Sequence, residues 1–155
     1  MAKTPDFDYT GPNPFHHIAW SDEPIEVRLA WAQQVIAAGH DLNRPYAKEP
    51  GITVDSVSRP LAEMVWSAQN YNADTGRLDD IELVKLYLAH GADPRLRDRL
   101  TGRNCIEEAA GWEGCADPGA KEKYWKEMYS LMKARADELD SKRTRTKQCT
   151  ATTVD

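Results

Sequence analysis

At 155 residues and 17.5 kDa the chain is the size of one ordinary domain, too small for separate cofactor and substrate lobes. With 41% hydrophobic and 29% charged residues it has enough apolar surface to order itself, and no apolar run nears the roughly 20 residues that cross a bilayer, since Gln33 and Gln34 interrupt even the stretch 31–38. The net charge of −5 is uneven: residues 141–149 carry Lys142, Arg143, Arg145 and Lys147 with no acid, so the body stands near −9 and is disfavoured as a general binder of phosphate backbones.

Residues 1–12 read as an N-terminal extension. It has neither an apolar stretch nor a small-residue cleavage site, so secretion is not indicated and a cytoplasmic protein is expected. Three cysteines at loose spacing, Cys105, Cys115 and Cys149, suit a reducing compartment better than a disulfide framework. The body, 13–140, then alternates short and longer helical segments. The first short one, 13–20, places Pro14 where the first helical turn needs no amide donor. A second helix follows over 25–38 and ends in Gly39-His40-Asp41-Leu42-Asn43. After a long loop, 43–58, the pattern restarts at Arg59-Pro60 and runs to Trp66; another long connection, 69–79, leads to an amphipathic helix over 79–90. Gly91 can close that helix in the left-handed conformation, and Pro94 forbids it from resuming. Residues 91–95 match 39–43 position for position at the turn. A third copy runs from Gly102 to Ala110, with its partner helix over 120–139. From Ser141 to Asp155 there is little to bury, and a disordered basic tail is expected.

This recurrence resembles the ankyrin repeat family, whose units run Thr-Pro-Leu-His-x-Ala, a second helix, Gly-Ala-Asp and a hairpin loop. The match is strongest at 81–95 and 102–110, where Leu83–Asp93 followed by Thr101-Gly102-Arg103 is similar to the family pattern almost throughout, and it covers about 13–135. The chain departs from the family at several points: Pro14 and Pro60 are 46 residues apart where the family period is about 33, Cys105 stands where proline is usual, and no glycine closes the last helix. The resemblance implies an all-α fold, a short solenoid of three stacked helical hairpins with extended loop fingers, the last hairpin acting as a cap.

Two groups stand out as candidate partner-binding residues. Trp20, Trp66 and Trp112 recur at intervals of 46 residues near the ends of the three first helices, the third one place later as if the loop before it held an extra residue. By resemblance that region faces the concave surface, so the indoles form an aromatic row for a partner; the competing reading is a structural row buried under the inserted loops. Arg95, Arg97 and Arg99 alternate in a segment expected to be extended, which would put all three on one side and suit an acidic protein surface or a phosphate. The opposite reading is a solvated loop balanced by Asp93 and Asp98.

Catalytic and metal chemistry is not indicated. His16 and His17 are neighbours on a helix and point about 100° apart, and the resemblance gives His16 a local structural hydrogen bond. His40 and His90 fall at helix C-termini, Cys105 and Cys115 lack zinc-site spacing, and Gly111–Gly114 is followed by no Lys-Ser or Lys-Thr of a phosphate loop. The expectation is a non-enzymatic module without cofactor that binds, and inhibits or masks, another protein through its concave face and loops, its acidic build suiting a basic partner site. It should be a monomer or weak homo-oligomer, with no membrane partner and with nucleic acid disfavoured, although a local basic strip could touch it. A structural, self-associating module is the alternative.

Overall fold

The computed structural model of the chain describes residues 13–47, 57–68, 78–99, 101–115 and 119–151. Helices dominate them: α1 (Pro14–Trp20), α2 (Ile25–Ala37), α3 (Pro60–Ser67), α4 (Ile81–Ala89), α5 (Cys105–Cys115) and α6 (Ala120–Ala151). The strands among them, β1 (Tyr46–Ala47) and β2 (Val57–Ser58), pair antiparallel with Tyr46 opposite Ser58. The helical class expected from the sequence holds at this level, and no helix among the described residues is long and apolar enough to cross a membrane. The expected extension 1–12 and most of the two inserted loops, at 48–56 and 69–77, lie outside the described residues.

Local chemistry sets the helix ends. Asn13 caps α1, its side-chain oxygen accepting from the His16 amide at 3.0 Å, with Pro14 in the position that has no donor to lose. Asn104 and Glu107 cap α5 reciprocally: the Glu107 amide donates to Asn104 Oδ1 at 2.9 Å, and the Asn104 amide to Glu107 Oε2 at 3.2 Å. The two turns that look alike in the sequence are alike in space. Gly39 has φ +91° and Gly91 φ +98°, and the amide that follows each reaches five residues back, His40 to Val35 at 3.3 Å and Ala92 to Tyr87 at 3.0 Å. Then an aspartate takes the amide two residues on: Asp41 from Asn43 at 2.8 Å, Asp93 from Arg95 at 3.0 Å. A Cβ added at Gly91 would meet nothing within 4 Å, so only the backbone conformation opposes a side chain there. Gly91→Ala is therefore expected to cost on the order of 1 kcal/mol in urea unfolding, and an unchanged midpoint would contradict the cap.

The helices pack in two rows. α1 contacts α3 and α3 contacts α5; behind them α2 contacts α4 and α4 contacts α6; α1 with α2, α3 with α4 and α5 with α6 join the rows. Equivalent positions are buried alike: Phe15, Ile18 and Ala19 in α1 correspond to Leu61, Met64 and Val65 in α3, and Trp31, Ala32 and Val35 in α2 to Leu83, Val84 and Tyr87 in α4. Burying these side chains between the rows is the main gain that offsets the entropy of ordering the chain.

The last helix departs from expectation. Its buried stripe, Tyr124, Trp125, Met128, Met132 and Ala136, has helical spacing and stops with the body. Beyond Asp140 every side chain through Cys149 is exposed, yet the helix continues to Ala151, about 16 Å further at 1.5 Å per residue. The expected disorder of the tail is thus corrected for 141–151. Absence of apolar residues decides what is buried, whereas helicity needs only an existing helix to extend, good formers such as Lys, Arg and Gln, and no Gly or Pro to stop it.

Candidate binding cleft

Two loops meet at the end of the molecule where α1, α3 and α5 begin and α2 and α4 finish. The Asn43 side chain joins them, its Nδ2 donating to the Gly91 carbonyl at 2.9 Å and its Oδ1 accepting from the Asp93 amide at 2.7 Å. Arg59, just before α3, adds a second clasp: Nε donates to the Asn43 carbonyl at 3.0 Å and Nη1 to the Arg97 carbonyl at 2.9 Å. The outer loop closes on itself, the Asp98 amide donating to the Arg103 carbonyl at 2.8 Å and the Thr101 amide to Asp98 Oδ1 at 3.0 Å, with Gly102 at φ +67°. Between this loop and the helices α3 and α5 lies a cleft with an apolar wall of Leu42, Leu61, Val65, Trp66, Leu96 and Cys105, and with Arg59, Arg103, Asp98 and Glu108 also lining it. Burial pushes the Cys105 thiol up to about 12, so it stays protonated at neutral pH and serves as wall rather than nucleophile.

The six residues singled out in the sequence separate. Trp66 is half-buried and lines the cleft. Trp20, also half-buried, donates its indole N–H to Glu63 Oε2 at 3.0 Å. Trp112 stacks toward Trp125 of α6, ring centroids 6.2 Å apart. The row does not extend to this third indole. α5 starts at Cys105, the equivalent of Pro14 and Pro60, so Gly111 occupies the position of Trp20 and Trp66; Trp112, one residue on, is turned about 100° toward its own partner helix. The residue thought to lengthen the preceding loop therefore lies inside the helix.

The arginines also differ from expectation. Residues 92–99 form no strand; the backbone turns at Asp93, whose carbonyl takes the Leu96 amide at 3.4 Å. Arg95 is committed to carboxylates, with Nε to Asp93 Oδ1 at 2.9 Å, Nη2 to Asp93 Oδ2 at 2.8 Å and Nη1 to Asp140 Oδ1 at 2.6 Å. Arg97 holds Glu107 in a fork at 2.9 and 3.0 Å and the Gly102 carbonyl at 2.6 Å. These hydrogen bonds hold the Asp93 and Glu107 carboxyls below the usual range. Arg99 is exposed.

Sequence reasoning missed the interior polar groups that hold the two rows. Glu63, fully buried, accepts from Ser58 Oγ at one oxygen and from His16 Nδ1 (2.9 Å) and Trp20 at the other. His16 thus bonds across helices rather than only locally. Arg28 and Asp80, both fully buried, pair with each other. One signal was available: 28 and 80 are separated by the same 52 residues as Gly39 and Gly91, so both fall on one position of the repeat.

No protein-family model, curated protein or solved structure matches the chain.

Proposed function

We propose that the chain is an ankyrin-like stack of three helical hairpins that works without catalysis, binding and inhibiting or masking a protein partner at the cleft beneath its finger loops. The observation that carries this reading is Trp66, a large indole left half-buried in an apolar cleft whose two loops are fastened by Asn43 and Arg59. A rigid aromatic wall in a concave site is the kind of feature that dominates binding energy between proteins, and loops already held in place lose little freedom on docking. The two helix rows and the repeated glycine turns favour the ankyrin-like part of the proposal. The thiol of Cys105, which forms no disulfide, is in keeping with a cytoplasmic site of action.

The test is a partner recovered with the folded chain and then titrated in purified form. Trp66→Ala is expected to weaken that complex by about 2 kcal/mol or more, while lowering stability by only about 1 to 2 kcal/mol because the ring is half-exposed. Equal affinity of the two forms would place the contact elsewhere. Light scattering at several concentrations checks the self-associating alternative, which predicts mass that rises with concentration.

A further inference from the structure

Net charge conceals a marked difference between the two ends of the molecule. At the finger end, segments 41–47, 57–59, 91–108 and 140–149 hold ten bases and six acids, and eight of the ten are arginine. They are together in space: Asn13 Nδ2 donates to the Tyr46 carbonyl at 3.4 Å, Asn43 reaches Gly91, and Arg95 ties the outer loop to Asp140 on α6, so the exposed extension of α6 leaves the body at this same end. At the opposite end, segments 20–26, 78–82, 111–115 and 119–122 hold eight acids and one base. Arg28 and Asp80 fix that grouping by linking the last turn of α1 to the start of α4. The acidity of the whole chain therefore belongs to the end that lacks the cleft.

Five arginines of the finger end, Arg44, Arg99, Arg103, Arg143 and Arg145, are exposed and make no ion pair among the described residues. Arg103 lines the apolar cleft, Arg44 and Arg99 stand on the two loops, and Arg143 and Arg145 stand on the α6 extension. We infer that the partner is an acidic protein segment carrying an apolar anchor: the anchor packs against the exposed part of Trp66 at the mouth of the cleft, whose interior of about 20 Å³ is too small to admit a side chain, and its carboxylates meet the exposed arginines of the fingers and of the α6 extension. This inference rests on the protein-binding reading and reverses the sign expected from net charge alone, which pointed to a basic partner site.

Two observations favour carboxylates on a protein over phosphates on a nucleic acid. Arginines at this end already grip carboxylates in forked pairs, Arg97 on Glu107 and Arg95 on Asp93, so the local geometry suits that planar group. The part-exposed apolar surface of Leu96 and Trp66 gives an anchor side chain something to cover, a gain that a phosphate backbone would not supply. A long polyphosphate would also run into the field of an otherwise acidic body.

The test uses the full chain and three fluorescent probes in anisotropy titrations: a short peptide with a central tryptophan flanked by Asp and Glu, the same peptide with lysines in place of the acids, and a single-stranded oligonucleotide of the first peptide's charge. The acidic peptide is expected to bind at least about tenfold tighter than either other probe, and to weaken as salt rises. Arg44→Glu, Arg99→Glu and Arg103→Glu combined should weaken it more than about tenfold with an unchanged melting temperature, whereas Asp22→Lys with Glu26→Lys at the far end should leave it unaltered. Preference for the lysine peptide would overturn the inference and leave the protein-binding reading standing. Preference for the oligonucleotide would overturn both. Binding by none of the three, or equal loss from the finger and far-end variants, would overturn the inference, and the Trp66→Ala titration against a recovered partner would still decide the broader reading.

Discussion

Replacing Arg28 with alanine is expected to remove about 3 to 5 kcal/mol of stability, a large part of what holds a domain of this size together. Both members of the Arg28–Asp80 pair have fully buried side chains. The guanidinium does more than neutralise Asp80. Its Nε donates to the Ile18 carbonyl at 2.8 Å and its Nη2 to the Ala19 carbonyl at 3.1 Å, groups in the last turn of α1 that have no partner within the helix. One side chain thus closes α1, anchors α2 and fixes the start of α4. Alanine would leave a carboxylate and two carbonyls without this donor in a space closed to water, and the unmet desolvation cost of the charge dominates. The Tyr87 hydroxyl nearby is buried and without a hydrogen-bond partner among the described residues, and burial pushes its pKa upward, so it stays neutral and replaces no charge. Arg28→Met with Asp80→Leu should recover part of the loss by removing both charges, but not the carbonyl bonds. Urea unfolding of both single variants and the double variant measures the coupling directly, and a single-variant loss below about 1 kcal/mol would show that water reaches the pair.

How far the fold is legible in the residues depends on the range of the interaction. Gly39 and Gly91, the prolines at 14 and 60 and the cap at Asn13 act within one turn of the chain, so their spacing alone announces where helices start and stop. The apolar stripes of α2 and α4 are equally plain because burial follows the helical period. Partnerships across the repeat are not written in any local pattern. Glu63 reads as an exposed acid in the first turn of a helix, yet its acceptors are filled from positions 16, 20 and 58. Asp93, two residues from Arg95, is a partner visible in the sequence, but Asp140 for Arg95 and Glu107 for Arg97 stand on elements that only the tertiary fold brings near. Trp112 was misplaced by one residue, and on a helix one residue is enough to turn a side chain from one neighbour to another. Of the candidate site, Trp66 was legible from its place in the period. The clasps of Asn43 and Arg59 that shape the cleft were not, since both end on backbone groups of distant loops.

Glu63 is the second place where a single change should be costly. Its carboxylate lies fully buried where α3 packs on α1, with Ser58 Oγ donating to one oxygen and His16 Nδ1 and Trp20 Nε1 donating to the other at 2.9 and 3.0 Å. Burial by itself raises the pKa of a carboxyl group; here the hydrogen bonds from His16, Ser58 and Trp20 and the attraction of His16 outweigh it, and the group is held below its ordinary value. Glu63→Ala is expected to cost about 2 to 4 kcal/mol, since three donors lose their acceptor and the methyl fills little of the space. The sign of the pH effect follows from the lowered pKa. The ionised form is favoured by folding, so its contribution is complete above the unfolded value near about 4.3 and is lost as pH falls from there through the folded value. Asp93 and Glu107, held low by the hydrogen bonds of Arg95 and Arg97, titrate on the same side of neutrality, so acid sensitivity of the wild type alone does not isolate Glu63. The difference between wild type and Glu63→Gln does. Urea midpoints taken from about pH 7 down to about pH 3 should converge as the wild-type carboxyl protonates, because the amide carries no ionisable proton to lose or gain. Parallel curves across that range would mean that folding leaves the Glu63 pKa at its unfolded value, so that burial and the hydrogen bonds from His16, Ser58 and Trp20 cancel one another.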